Sequence, residues 1–418
     1  MKQNKIIISA LALALLTSLS ACGNTTETTN SAAENTASAS PAAAVDTQAQ
    51  NDADASSEEE KDCCKDSEKD CCKDDSTADC CGSAEEAVAA VTGQLEKTDF
   101  ALGHLNSTAH LLAFVAKEEG FFEEQGLNVT LTQFSSAGEL ATGLESGKLD
   151  AAFIGSVPSL TFQSQGHDLT IFGGAMTNGH GYVIKSQYTE GLDSWDISIL
   201  KGRNVASVKN SVQDAELQIL LKNAHIEIGE GEDKVNVVYF DSQKDAYAAL
   251  ANASIDAASV YSPYASLAAN QGYEIVYRCS EEPALENQPC CRQVAFTENL
   301  NQNPNTFTAF EKALIQAYKF SQENEDKTIE DVKVYIDIDE EFIRTEVYGG
   351  YGASNPDPDK QGTSALKDSI VELGYTEDYD IDSLYNTDIY RNALSEILAE
   401  NPDDAVYLEL QEHFNEYE

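Results

Sequence analysis

GELATGLESGKLDAAFIGSVPSL, residues 138–160, reads as helix, strand and helix in immediate succession. Leu140 and Leu144 recur at helical spacing, and Gly147 closes that helix. Ala151, Ala152, Phe153 and Ile154 form a short buried strand. Gly155-Ser156-Val157-Pro158 then opens the next helix with a capping serine and a proline in the first turn. A small-residue turn at the carboxyl end of a strand is where open parallel sheets place their ligands. AALANASIDAASVYSPYASL, residues 248–267, repeats the logic: a helix leads into a strand over residues 256–260, and Ser262-Pro263 starts another helix. Two such units predict two α/β lobes facing one cleft.

The 418 residues suffice for two lobes with real cores. At the amino end, Lys2 and Lys5 precede an apolar run over residues 6–19 that is too short to span a bilayer and typical of a signal peptide. The run ends in Leu19-Ser20-Ala21-Cys22, the bacterial lipoprotein pattern, so residues 1–22 are expected to be a signal peptide ending at an acylated Cys22. Two acyl chains anchor a protein stably. No second apolar stretch is long enough to span, which leaves the rest soluble and extracytoplasmic. Residues 23–97 are poor in large apolar side chains and rich in Ser, Thr, Ala, Asp and Glu, a disordered acidic tether. It carries a repeat: Asp62-Cys63-Cys64, Asp70-Cys71-Cys72, Asp79-Cys80-Cys81. A formal charge of −46 excludes nucleic acid and anionic membrane surfaces as partners but says little about a ligand held in a locally different pocket.

The folded part is expected to start near Asp99. Residues 110–119 read as a helix, and residues 129–134, 151–154 and 169–172 as strands between helices. Tyr182-Val183-Ile184 is the expected crossing to a second lobe, which alternates strand and helix through residues 205–208, 213–224, 235–240, 245–250 and 256–260. The chain returns over residues 292–296. Lobe I therefore comprises residues 98–183 plus 296–418, and lobe II residues 184–295. A mostly helical tail starts at Asn303-Pro304, and residues 332–338 alternate like a strand inside it.

GHLNSTAHLLAFVAKEEGFFEEQGLNV (103–129), LESGKLDAAFIGSVPSL (144–160) and LKGRNVASVKNSVQDAELQILL (200–221), followed by NPDPDKQG and DIYRNALSEI, carry a family resemblance. In this order they resemble the substrate-binding proteins of ABC importers for nitrate, taurine and aliphatic sulfonates, a group that includes the thiamin-pyrimidine-precursor binding proteins. The resemblance implies a two-lobed periplasmic-binding-protein-like α/β fold of type II, each lobe a mostly parallel sheet flanked by helices, with a helical C-terminal tail. It implies helices over residues 332–338, against the alternation. It also implies ligand contacts from Asn106, Ser107, Ser135, Ser136, Gly155, Ser156, Ser211, Tyr261 and Ser262.

The residues themselves point to the same cleft. Ser136-Ala-Gly-Glu139, Ser211-Val-Gln-Asp214 and Ser242-Gln-Lys-Asp245 fit the capping box, and Ser262-Pro263 reads as a cap followed by proline. Each serine has a purely local use, satisfying its own helix. Together with Ser156 they bring several helix N-termini to strand ends, where free N–H groups suit an oxyanion. Arg292 has two readings, a bidentate clamp on such an anion or an ion pair between the lobes. Cys290-Cys291-Arg292 resembles the consecutive cysteines of the thiamin-pyrimidine group, with only two cysteines present; ligand or metal contact stands beside a disulfide from Cys279 to Cys290 or Cys291. His104, His110 and His180, near strand ends or helix starts, complete a candidate soft-metal set with Cys290 and Cys291, or serve as hydrogen-bonding groups. The tether thiols bind thiophilic metal, buffer redox state, pair between molecules or drift in a tolerant linker.

The expected protein is a membrane-anchored receptor at the extracytoplasmic face, monomeric, which captures a nitrate-, sulfonate- or taurine-like anion or a pyrimidine-type precursor and passes it to an ABC permease. No cofactor is expected, with a bound metal as the alternative. No nucleophile–base pair or Gly-rich cofactor loop is apparent, so an enzyme akin to a pyrimidine-precursor synthase ranks below a receptor. A thiol-dependent metal-binding lipoprotein is the third reading.

Overall fold

The computed structural model describes residues 93–418, apart from Glu286. The expected signal peptide, the acylated Cys22 and the Cys-Cys repeats lie outside the described residues. Packed residues are found ahead of Asp99: the Glu96 carboxylate accepts N–H bonds from Asn305 (3.2 Å) and Thr306 (2.9 Å) at the start of the helix Pro304–Glu323, and Leu95 packs on the core.

Eleven strands make two sheets among these residues: β1 (Asp99–His104), β2 (Asn128–Gln133), β3 (Ala151–Gly155), β4 (Leu169–Asn178), β5 (His180–Lys185), β6 (Asn204–Val208), β7 (Asn236–Phe240), β8 (Ala257–Tyr261), β9 (Tyr273–Arg278), β10 (Pro289–Phe296) and β11 (Gly352–Ser354). The first sheet runs β11-β4-β10-β3-β1-β2 and the second β7-β6-β8-β5-β9. The two α/β lobes and the helical C-terminal region are as the sequence implies. Parallel pairing is confined to β1 with β2 and β3, and β6 with β7 and β8. The other pairings are antiparallel, because β4, β5 and β10 are the strands on which the chain leaves one lobe and re-enters the other.

The crossings lie elsewhere than expected. Tyr182, Val183 and Ile184 sit inside β5, already paired with β8 of the second sheet. The chain leaves the first sheet at Asn178 and turns on Asn178 (φ 55°) and Gly179 (φ 84°), two consecutive left-handed residues of the kinds that tolerate that conformation. It enters the second sheet at His180 and returns between Arg278 and Pro289, ahead of residues 292–296.

Burial follows the sequence periods. Phe100 of β1 stacks on Phe310 (4.6 Å) and meets Phe307 edge-on (5.3 Å), so the long helix Pro304–Glu323 covers one face of the first sheet. The NPDPDKQG segment lies directly on β4: Gly174 donates its N–H to Pro356 O (2.7 Å), and a Cβ there would stand 1.9 Å from Asp357 O. Residues 332–335 form the end of a helix, Glu325–Tyr335, and residues 336–338 lie beyond it in neither helix nor strand. Ile329, Val332 and Ile336 are buried at helical spacing, while Val334 is 63% exposed, so the apparent alternation has no buried face to match.

Candidate functional site

The two sheets bring their strand ends to one cleft. Its inner part is a cavity of ≈ 100 Å³, opening into a wider mouth of ≈ 950 Å³. β2 leads to Ser135-Ser136, β3 ends at Gly155, β6 leads to Ser211, β7 to Asp241-Ser242, and β8 ends at Tyr261; all reach the inner cavity. Ser107 and His110 come from the turn after β1, and His180, Cys290 and Cys291 from the first residues of β5 and β10.

Three of the four expected caps form. Ser136 Oγ accepts the Glu139 N–H (3.3 Å), Ser211 that of Asp214 (3.2 Å) and Ser242 that of Asp245 (3.2 Å). Glu139 Oε2 reciprocates by accepting the Ser135 N–H at 2.9 Å. Ser211 and Ser242 also donate, to Val208 O and Asp245 Oδ2 (2.7 Å each). Both hydroxyls are thus engaged by their own helices, and what they expose is position and backbone. Ser262 is not a cap: Pro263 occupies that place for the helix Tyr264–Asn270. Ser262 is buried, hydrogen-bonds Thr108 through its hydroxyl and accepts the Ser107 hydroxyl on its carbonyl (3.1 Å), a tie between the lobes. Ser156 is the first residue of the helix Ser156–Ser164, capped by Gly155; its Oγ is fully buried, has no partner among the described residues and does not line the cavity. Asn106 lines the outer mouth with Lys244.

Arg292 does not line the inner cavity. It is 1% exposed, faces away from the cavity, and is held by Asp359 (Nη2–Oδ2 3.3 Å), Thr363 (Nε–Oγ1 3.1 Å) and Cys291 O (2.9 Å). The antiparallel pairing of β10 turns its side chain toward the NPDPDKQG segment, which supplies the countercharge. His104 is also outside the cavity. It lies edge-on to Phe114 (5.0 Å), bonds Leu105 O through Nδ1 (2.9 Å), and burial pulls its imidazole down to about 4.

The cysteines make a polar chain in place of a disulfide. Cys279, Cys290 and Cys291 are free thiols. Cys279 Sγ donates to Glu216 Oε2 (3.0 Å), Glu216 Oε2 lies 2.9 Å from His180 Nδ1, His180 Nε2 lies 3.2 Å from Cys290 Sγ, and Cys290 Sγ 3.3 Å from Cys291 Sγ. Glu216 and His180 therefore stand between Cys279 and the pair it was expected to reach. Burial pulls the His180 imidazole down, yet the adjoining Glu216 carboxylate outweighs it and the group titrates above its usual value. Hydrogen bonding to Cys291 and then burial push the Cys290 thiol well up; the same contact, helped by His110, pulls Cys291 down against burial. A thiol, an imidazole and a carboxylate thus lie in one hydrogen-bonded row, an arrangement the sequence reading did not find. Glu216, Gln213, Asp241 and Gln243 were missed as well. The last two adjoin a recognised cap, and nothing local marks Glu216.

Residues 93–334 match the sequence model of the NMT1-like family. The Bacillus subtilis protein YtlA, named only as a binding protein, is 25% identical over 252 residues, 59% of this chain and 73% of its own. A second Bacillus subtilis protein, named for binding aliphatic sulfonates, is 28% identical over 158 residues, 37% of this chain and 45% of its own. Among solved structures, the periplasmic aliphatic sulphonate binding protein SsuA from Escherichia coli superposes with a TM-score of 0.58 at 18% identity, covering 71% of this chain and 99% of that one. The periplasmic nitrate-binding protein NrtA from Synechocystis gives 0.63 at 18% identity, covering 75% and 92%. These two structures share the fold.

Proposed function

This chain belongs to the NMT1-like family, and on that premise we propose that it is an extracytoplasmic substrate-binding protein of an ABC importer. It is tethered to the membrane through an acylated Cys22 and captures a small molecule by closing two lobes. The observation that carries this reading is the inner cavity, lined from both sheets by strand ends and crossing strands. Capture in such a cleft needs no covalent step, and the one relative above named for binding sulfonates and the structural neighbours named for nitrate and sulphonate agree with it.

The lining favours a neutral, pyrimidine-type ligand over a nitrate- or sulfonate-like anion. No Lys or Arg is among the residues of the inner cavity, and Asp241 adds a carboxylate. An anion there would rely on helix N-termini and imidazoles alone, inside a strongly acidic protein, and a buried charge without a partner is costly. At ≈ 100 Å³ the space suits a ligand of few atoms.

Native mass spectrometry of the protein purified without refolding tests the proposal. A bound small organic molecule, released on denaturation and identified by its mass, is the expected result. Turnover of an added precursor without an importer would transfer the function to an enzyme working through Cys290 and His180.

A further inference from the structure

We infer that Cys290, Cys291 and His180 form a site for one thiophilic d10 metal ion, Zn(II) or Cu(I), at the inner end of the cavity, with His110 as fourth donor. Adjacent residues of a regular strand face opposite sides. β10 is irregular here: its register against β4 shifts between Pro289 and Cys291 and again between Cys291 and Arg292. Such a bulge re-aims side chains, and both thiols reach the same cavity with their sulfur atoms 3.3 Å apart. His180 Nε2 is 3.2 Å from Cys290 Sγ. Tetrahedral zinc, with Zn–S about 2.3 Å and Zn–N about 2.0–2.1 Å, separates its donors by about 3.6–3.8 Å. These two separations, both from Cys290 Sγ, are a few tenths of an ångström shorter than that, so small side-chain rotations make room for an ion between them.

The surroundings are those of a metal site. Glu216 Oε2 lies 2.9 Å from His180 Nδ1, which fixes the proton there and leaves the Nε2 lone pair facing the thiols. A carboxylate behind a ligating imidazole is the usual orienting partner. Glu216 is itself fully buried and held by the Cys279 thiol. His110, stacked on Phe153 (5.1 Å) and 1% exposed, has an Nε2 with no hydrogen-bond partner among the described residues. It lines the same cavity. Two sulfurs and two imidazole nitrogens are a donor set that zinc takes tetrahedrally and copper(I) tolerates. Binding releases the thiol protons to solvent as the thiolates form. His180, Glu216 and Cys279 also bring donor atoms within 4.8 Å of one another. That group offers one sulfur, and Glu216 and Cys279 are absent from the cavity wall, so we assign both to support.

The inference goes beyond capture of an organic ligand and is tested without one. The full-length chain, with Cys22 and the six tether cysteines changed to serine, is reduced and titrated anaerobically with Zn(II) and, separately, Cu(I) against a chromophoric chelator. One ion per chain is expected. Cys290→Ser and Cys291→Ser should each weaken binding by at least about 100-fold, and Glu216→Gln by about 10–100-fold. X-ray absorption at the metal edge of the chain with its three core cysteines intact should show two sulfur ligands, a readout independent of whether any variant folds. Absence of stoichiometric uptake of both ions, affinity indifferent to Cys290 and Cys291, or a spectrum with one sulfur or none would overturn the assignment. None of these outcomes bears on whether an organic molecule co-purifies, so the site and the receptor can fail separately.

Discussion

Removing Arg292 should cost stability and leave the cavity intact. The guanidinium is 1% exposed and reaches Asp359, Thr363 and Cys291 O at 3.3, 3.1 and 2.9 Å. Arg292→Ala strands the Asp359 carboxylate, whose side chain is 10% exposed. Breaking one side of such a buried pair typically costs about 3–5 kcal/mol. With unfolding entropy of about 2.1 cal/mol/K per residue over roughly 330 folded residues, the melting temperature should fall by about 4–7 °C. Arg292→Met combined with Asp359→Asn should recover much of that loss. The paired change removes the stranded charge, while the amide oxygen still accepts the Gly362 N–H that Asp359 caps at 2.8 Å. Urea unfolding followed by circular dichroism, beside thermal melts, reads both variants. A melting point within about 1 °C of the parent, together with lost ligand binding, would return Arg292 to the pocket and refute the reasoning.

Other outcomes are expected on the same footing. His104 is neutral in the fold down to about 4, whereas the unfolded chain takes up the proton near 6.5; stability is therefore complete above pH 6.5 and falls by about 3 kcal/mol as pH drops to 4. Urea unfolding across that range should be flatter for His104→Phe than for the parent, and equal slopes would show that His104 titrates normally. Glu346 receives Arg278 (3.4 Å) and the Ser266 N–H (3.0 Å), tying the C-terminal region to the second lobe. Glu346→Gln should enlarge the radius of gyration by small-angle scattering, and superimposable curves would remove that latch. Cys22→Ala should release the protein from the membrane or leave it unprocessed; normal processing with full retention would sink the lipoprotein reading.

What could be read from the sequence was local. Capping at Ser136, Ser211 and Ser242 needs only a serine and an acidic residue three positions on, and all three caps formed. The strand–turn units after residues 147 and 255 were legible because buried runs and their breaking glycine or serine–proline turns are contiguous. Long-range partners were not. Arg292 pairs with Asp359 sixty-seven positions on, and Cys279 with Glu216 sixty-three positions back; no spacing rule connects either. Ser262 misled for the same reason, since its hydroxyl is claimed by Thr108, a residue 154 positions away.

A rotating body moves least at its pivot. His180 begins β5 immediately after the Asn178-Gly179 turn, and Cys290 and Cys291 begin β10 on the returning connection, so all three lie where the lobes are joined. The tie between Ser107 and Ser262 lies at the first of those crossings, where the Ser262 N–H donates to Gly179 O (2.8 Å), whereas the tie between Tyr375 and Asp214 joins the lobes through other elements. Opening that parts the Tyr375–Asp214 tie would leave the thiol–imidazole set assembled. A ligand entering the open protein meets a finished inner surface first, and the lobes then swing shut over a molecule already held.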